Sequence, residues 1–129
     1  MELHLPTPEA TVRAFAEAWS QLDLDRVIGL LHPDILYHNI PLTQLLGKLK
    51  VEAYLRSAGP FQSCRWTLRE IAVTGNRVLT ERIDEMVVHG CPIVLPVMGV
   101  FAVDGGLICE WRDYFDLATY RAQWPKEAL

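Results

Sequence analysis

The chain has 129 residues, of which half are hydrophobic and 22% are charged. This is the size and composition of one folded domain, and it excludes an intrinsically disordered chain. The formal net charge of −4, from 12 basic and 16 acidic residues, lacks the basic surplus that binding to a nucleic-acid backbone requires. We therefore expect a single domain over residues 1–129 and no nucleic-acid partner.

The cysteines, the histidines and the N-terminus bear on compartment and cofactors. The three cysteines form no CxxC pair, and the four histidines show no ligand spacing, so we expect no structural disulfide and no metal. The N-terminus has no basic segment followed by an apolar one, and the longest apolar run, 93–102, is too short to span a bilayer. We therefore expect a cytoplasmic protein with no membrane partner.

The first half of the chain is typical of helices with one short strand. Thr7 can cap the first helix. The His32–Pro33 step is expected to end the second helix, because the residue before a proline avoids the α region. The predicted elements, in chain order, are a helix from Pro8, a helix at 23–31, a strand at 34–40, a helix at 48–57 and a break at 58–60.

The second half changes to strands separated by glycine-rich turns. The predicted strands are 61–73, 77–88, 93–103 and 107–115. Asp116 can cap a last short helix through Tyr120. Helices followed by a strand meander indicate an α+β fold, with a strongly curved antiparallel or mixed sheet wrapped around the N-terminal helices. Such a cone would enclose an apolar pocket for a small molecule.

Charged residues interrupt the strand at 77–88. Arg82 and Asp84 share a period-2 face with Val78, Met86 and Val88, where an ordinary core strand has only apolar groups. A cross-strand ion pair on a solvated face is the simplest interpretation.

A second carboxylate, Asp113, favours a buried cluster. It shares a period-2 face with Cys109, Trp111 and Phe115, which predicts partial burial. A buried carboxylate needs a partner, and one arginine can bind two carboxylates through its fork of donors. We therefore expect Arg82 to join Asp84 and Asp113 in an Asp–Arg–Asp relay at the floor of the cone.

Tyr37 and Asn39 form a third element. In a strand they face the same way, so a hydroxyl and an amide could hold one water molecule together with Asp113. The alternative is that Tyr37 belongs to the core and Asn39 to the turn before Pro41.

These segments together resemble a known family. Tyr37-x-Asn39, Arg82-x-Asp84 and the Trp111-to-Asp116 segment, in this order, resemble the limonene-1,2-epoxide hydrolase family. The resemblance implies a cone of the NTF2-like or SnoaL-like type. It also implies that Asp113, helped by Tyr37 and Asn39, activates a water molecule, that Asp84 protonates the epoxide oxygen, and that Arg82 orients both aspartates.

The implied reaction is the addition of water to a small apolar cyclic or terpene-like epoxide in one step, giving a vicinal diol without a covalent intermediate. Ring strain drives this reaction, so no cofactor is expected. The candidate walls of the substrate pocket are Trp19, Met86, Leu95, Val97, Phe115 and Tyr120. Exposed apolar residues on the outer face of the sheet predict a homodimer, with Leu68, Val73 and Leu79 as contributors.

Two other functions remain open on the same cone. One is an isomerase or cyclase of the SnoaL or ketosteroid isomerase type, which needs a lone carboxylate base and an acid pair that forms an oxyanion hole. The Asp–Arg–Asp set fits this poorly, because Arg82 is expected to keep the second aspartate ionised. The other is a non-catalytic dimer that binds an apolar ligand, because a fold alone does not define a function.

Overall fold

Residues 4–57 and 61–124 are described by the structure, a computed structural model. The predicted break at 58–60 lies outside these residues. In chain order the elements are α1 (Pro8–Ser20), α2 (Leu24–Gly29), β1 (Leu31–Asn39), β2 (Leu45–Leu46), α3 (Lys48–Ser57), β3 (Phe61–Thr74), β4 (Arg77–Val88), β5 (Cys91–Asp104), β6 (Leu107–Tyr114) and α4 (Leu117–Gln123). None of these helices is long and apolar enough to cross a membrane.

The strands form one open, mixed sheet in the order β2-β1-β6-β5-β4-β3. Neighbouring strands are antiparallel except β1 and β6, which are parallel and come from opposite ends of the chain. Helix α1 packs against β3, β4, β5 and β6 on the inner face of the sheet. The expected α+β fold, a curved mixed sheet around the N-terminal helix, is confirmed.

Aromatic side chains join α1 to the sheet. The hydroxyl of Thr7 accepts a hydrogen bond from the Ala10 amide over 3.1 Å, which caps the helix as predicted. Phe15 meets Trp111 edge-on, with ring centroids 4.9 Å apart, and Trp19 stacks on Trp66 at 5.6 Å. The core is therefore aromatic where the helix faces the sheet, and this core forms one side of the pocket described below.

The second helix ends earlier than the sequence predicts. It ends at Gly29, and strand β1 already begins at Leu31, so Pro33 lies inside a strand. Its missing N–H costs little there, because the ladder between β1 and β6 is irregular between Leu31 and Leu36. Pairing with a distant strand therefore overrides the local helix signal.

The sequence does not predict strand β2, and strand β5 is unusual because it contains two prolines. The two-residue strand β2 pairs with β1 and has no pattern of its own. Strand β6 pairs with β5 only from Met98 onward, and Pro92 and Pro96 lie in the earlier part of β5, which β6 does not reach. On this free edge the Val94 amide donates to the Gln123 side chain of α4 over 2.8 Å, so α4 covers the edge that the prolines leave without donors.

Candidate active site

Polar side chains on the inner face of β4 are buried in the core. Thr80, Arg82 and Asp84 alternate along the strand with outward-facing residues, and Arg82 has no exposed surface. The strand is covered on both edges, because it pairs along its length with β3 and β5. The interpretation of this face as a solvated surface is therefore wrong.

Arg82 binds both aspartates. Its Nε donates to Oδ1 of Asp84 over 2.8 Å, and its Nη2 donates to Oδ2 of Asp84 over 3.1 Å and to Oδ2 of Asp113 over 2.6 Å. We call this group the Asp84–Arg82–Asp113 cluster. Charge-assisted bonds of this length are the strong class of hydrogen bond, so the three side chains hold one another in fixed positions.

An indole ring covers the cluster from β3. The guanidinium carbon of Arg82 lies 3.9 Å from the centre of the Trp66 ring, and Phe101 lies farther away on the same guanidinium at 5.9 Å. The face of an indole attracts a cation, and more so where water is excluded. Trp66 therefore replaces part of the hydration that Arg82 gives up on burial.

The parallel pairing of β1 with β6 brings Tyr37 and Asn39 to Asp113. In the register of this pair, Asn39 lies opposite Asp113 and Tyr37 opposite Trp111. The rings of Tyr37 and Trp111 stack at 3.9 Å, and the Asn39 amide donates to the Tyr37 hydroxyl over 2.8 Å. These side chains therefore meet on the inner face, beside the cluster, as the period-2 pattern of the sequence predicts.

One oxygen of Asp113 lacks a partner. Its Oδ2 accepts from Arg82, but its Oδ1 is buried and has no hydrogen-bond partner among the described residues. A buried acceptor without a donor costs free energy, so native structures fill almost all such positions. A water molecule donates one hydrogen to such an oxygen while keeping its own lone pair free.

Burial raises the pKa of two polar groups in the site, Asp84 and Tyr37. Burial raises the pKa of Asp84 to about 6, against the lowering effect of Arg82, and the charge of Asp113 raises it further. With this pKa, Asp84 is mostly ionised near neutral pH, as expected from the sequence, but a fraction of it carries a proton. Burial, followed by the charge of Asp113, raises the pKa of Tyr37 well above its ordinary value, so its hydroxyl keeps its proton.

Arg82 stays charged in spite of its position. Burial alone would lower its pKa, but the Asp113 and Asp84 carboxylates outweigh that effect and raise it. A permanent cation between two carboxyl groups allows one of them to gain or lose a proton without leaving an isolated buried charge. The cluster can therefore hold one ionised and one protonated aspartate.

A pocket opens above the cluster, between the sheet, α1 and α3. All six residues predicted as pocket walls line it, together with Tyr37, Asn39, Asp84 and Asp113. Arg82 lies beneath the floor rather than on it. The lining residues that were not predicted as walls are Leu42, Tyr54, Leu55, Phe61, Cys64, Trp66 and Trp111. The alternation of Cys64, Trp66 and Leu68 in β3 is the signal that could have identified Trp66.

A β-bulge changes the face of one cysteine. The register between β5 and β6 shifts at Ala102, so Ile108 rather than Cys109 shares the buried face with Trp111 and Asp113. The Cys109 thiol instead donates to the Ala102 carbonyl oxygen over 3.4 Å.

Within the described residues, no group of three or more His, Cys, Asp or Glu side chains is placed to hold a metal ion.

Comparison with known proteins agrees with the family resemblance noted in the sequence. Residues 6–126 match the family model of the limonene-1,2-epoxide hydrolase catalytic domain. The epoxide hydrolase EphG of Mycobacterium tuberculosis is 34% identical over 106 residues, which cover 82% of this chain and 71% of that protein.

Solved structures agree in fold. The structure of a limonene-epoxide-hydrolase-like epoxide hydrolase from M. tuberculosis superposes with a TM-score of 0.78 at 32% identity, covering 88% of this chain and 85% of that one. An NTF2-like protein of unknown function from Burkholderia pseudomallei superposes with a TM-score of 0.80 at 22% identity, covering 92% and 98%. The second likeness concerns the fold alone.

Proposed function

Because this chain belongs to the limonene-1,2-epoxide hydrolase family and is an epoxide hydrolase, we propose that it opens its substrate by direct attack of water. No covalent bond to the enzyme forms in this mechanism. The observation that carries the proposal is the Asp84–Arg82–Asp113 cluster at the floor of an apolar pocket, with one Asp113 oxygen that no described residue contacts by a hydrogen bond.

Asp113 is the proposed base. Its Oδ1 accepts a proton from the nucleophilic water, which Tyr37 and Asn39 hold from the other side. The water oxygen forms a bond to one epoxide carbon as the bond between that carbon and the ring oxygen breaks. The attacked carbon is inverted, as in any in-line displacement.

Asp84 is the proposed acid. The ring oxygen leaves as an alkoxide, which is too basic to depart unaided near neutral pH, so it needs a proton as the bond breaks. A pKa of about 6 keeps a fraction of Asp84 protonated near neutral pH, and Asp84 lines the pocket. After the reaction Asp84 is ionised and Asp113 is protonated, and Arg82 contacts both carboxyl groups throughout. Proton exchange with solvent restores the starting state.

The proposed substrate is a small apolar cyclic or terpene-like epoxide. Apart from the polar floor, the pocket walls are aliphatic or aromatic side chains, with Met86 the most adaptable among them. A panel of cyclic and terminal epoxides with diol detection tests this class. Turnover of hydrophilic epoxides alone would contradict it.

Labelled water tests direct attack. With enzyme in excess over substrate and ¹⁸O-water as solvent, the first turnover is expected to place the label in the diol. An enzyme that forms an ester through an aspartate would instead give an unlabelled first diol and a labelled carboxylate. That second outcome would exclude the mechanism proposed here.

A homodimer is also proposed. Of the three predicted contributors, Leu79 lies on the outer face, whereas Leu68 and Val73 pair with inward-facing residues of β4; Val73 is 47% exposed on the edge strand β3. The outer face instead exposes Met98 and Tyr114, which are direct neighbours across β5 and β6 and are 49% and 45% exposed. Sedimentation of the wild type as a dimer, and of Met98→Lys as a monomer, is the expected result; a monomeric wild type at micromolar concentration contradicts it.

We propose a cytoplasmic location. Cys64, Cys91 and Cys109 are all free thiols, which suits a reducing compartment. Burial raises the pKa of Cys64 to about 12, so this thiol in the pocket wall is inert. Cell fractionation with an antibody to the chain tests the location, and recovery from a secreted or membrane fraction would contradict it.

A further inference from the structure

Strand β5 separates the two halves of the cluster. Asp84 and Arg82 lie on β4, whereas Asp113 lies on β6, and β5 runs between these strands. Neighbouring strands are about 4.8 Å apart, so the Arg82 side chain must pass over β5 to reach Asp113. In the register of the sheet, the β5 residue paired with both Thr80 and Asp113 is Gly99.

Gly99 has no side chain at the point where Arg82 crosses β5, and a Cβ atom would not fit there. A Cβ atom added at Gly99 would lie well inside 3.0 Å of Nη1 of Arg82, 2.9 Å from Oγ1 of Thr80 and 3.0 Å from Oδ1 of Asp113. Real Cβ atoms essentially never approach other atoms below 3.0 Å. The backbone does not require glycine at this position, because the φ angle of Gly99 is not positive.

We propose that Gly99 is a positioning residue for epoxide hydrolysis. Its missing side chain leaves the passage through which Arg82 reaches Asp113, and the inference rests on the function proposed above. Thr80 also lines this passage, because its hydroxyl accepts from Nη1 of Arg82 at 3.5 Å and would lie 2.9 Å from a Cβ atom at position 99. A methyl group at position 99 would overlap the guanidinium and force it out of the position from which it binds Asp113.

The first test compares two glycine-to-alanine substitutions. Gly99→Ala is expected to lower kcat about 100-fold, the effect that a displacement of about 1 Å has on a catalytic group. KM should change little, because Gly99 is not a pocket wall. Gly29→Ala is the matched control, since its Cβ would meet nothing within 4 Å. Wild-type kcat in Gly99→Ala would overturn the inference.

A second substitution separates crowding from a general structural role. Thr80→Ala removes one wall of the passage, so Gly99→Ala should cost less in a Thr80→Ala background than in the wild type. If Gly99→Ala does not fold, the same rescue is measured as recovery of folded protein by circular dichroism. Equal losses in both backgrounds would overturn the inference.

The proposed function and this inference fail in different ways. If the wild type produces no diol from any epoxide, the function fails, whereas the rescue of Gly99→Ala by Thr80→Ala is still measurable by thermal unfolding. If the wild type is active and Gly99→Ala equals it, the function stands and the inference fails.

Discussion

Two arginines in this molecule each bind two carboxylates. On the surface, Arg56 of α3 contacts Asp25 at 2.8 Å and Glu52 at 2.9 Å. In the core, Arg82 contacts Asp84 at 2.8 Å and Asp113 at 2.6 Å. By distance and by residue type, the two groups are almost the same.

Burial distinguishes them. The Arg56 and Asp25 side chains are 44% and 90% exposed, whereas the Arg82 side chain is fully buried and those of its aspartates are 7% and 6% exposed. Water and salt screen the surface group, so its charges behave nearly independently. In the core the three side chains are shielded from bulk water, so each depends on the other two. An ion triad becomes chemically useful only where water does not compete with it.

Removing each arginine should give the largest contrast. Arg82→Ala leaves two buried carboxylates without a partner, which we expect to cost about 3–5 kcal/mol of unfolding free energy and all diol formation. Arg56→Ala leaves its carboxylates in water and should retain wild-type activity. Urea unfolding and a diol assay on both variants measure the difference. Equal unfolding midpoints would mean that burial is not what distinguishes the groups.

Neutralising one carboxylate in each group isolates the chemistry. Asp113→Asn should lower kcat by about 10²–10⁴, because an amide cannot accept the proton of the water. Glu52→Gln, the matched change on the surface, should leave kcat unchanged. Steady-state kinetics with one epoxide compares them, and near-normal turnover by Asp113→Asn would show that another group is the base.

The pH dependence should sharpen the contrast further. As the proposed acid, Asp84 is active in its protonated form, so kcat/KM should fall as the pH rises through about 6. Asp84→Asn should lose this alkaline limb together with most of its rate. A wild-type profile that stays flat from pH 5 to pH 9 would contradict the assignment of Asp84 as the acid.

The smallest effects are expected at the edge of the cluster. Tyr37→Phe and Asn39→Ala each remove one of the proposed contacts with the nucleophilic water, while Asp113 and Asp84 remain, so each should lower kcat about tenfold. Thermal unfolding controls for the loss of packing between Tyr37 and Trp111. A loss as large as that of Asp113→Asn would mean that Tyr37 or Asn39 takes part in proton transfer.

The local pattern of the sequence predicts most of the elements but not their exceptions. A cap and helical periodicity identify α1, periodicity alone identifies α3, and strand and turn patterns identify the four long strands, because these signals lie within each segment. The end of α2 depends on the pairing of β1 with the distant strand β6. The face of Cys109 depends on a bulge in the pairing of β5 with β6, which shifts the period by one residue. No local signal reports such pairing.

The site residues also divide into those that the sequence pattern identifies and those that only the structure identifies. Arg82 and Asp84 are identifiable because charges interrupt an apolar face, and the family resemblance supplies their roles. Alternation in β3 could place Trp66 on the inner face, but the contacts of Trp66 and Gly99 with the guanidinium of Arg82 are visible only in the structure. The balance between burial and Arg82 at Asp84 also requires the structure, because both effects depend on the surroundings in three dimensions.

The parallel pairing of β1 with β6 has a consequence for folding kinetics. Strands β3 to β6 join neighbours along the chain, whereas β1 must find a partner at the opposite end, and such contacts pay the larger loop-closure entropy. A chain with only the meander formed would contain Asp84, Arg82 and Asp113 without Tyr37 and Asn39 beside them. During refolding, indole fluorescence should therefore recover before hydrolysis does, and catalytic activity would report the docking of the last strand.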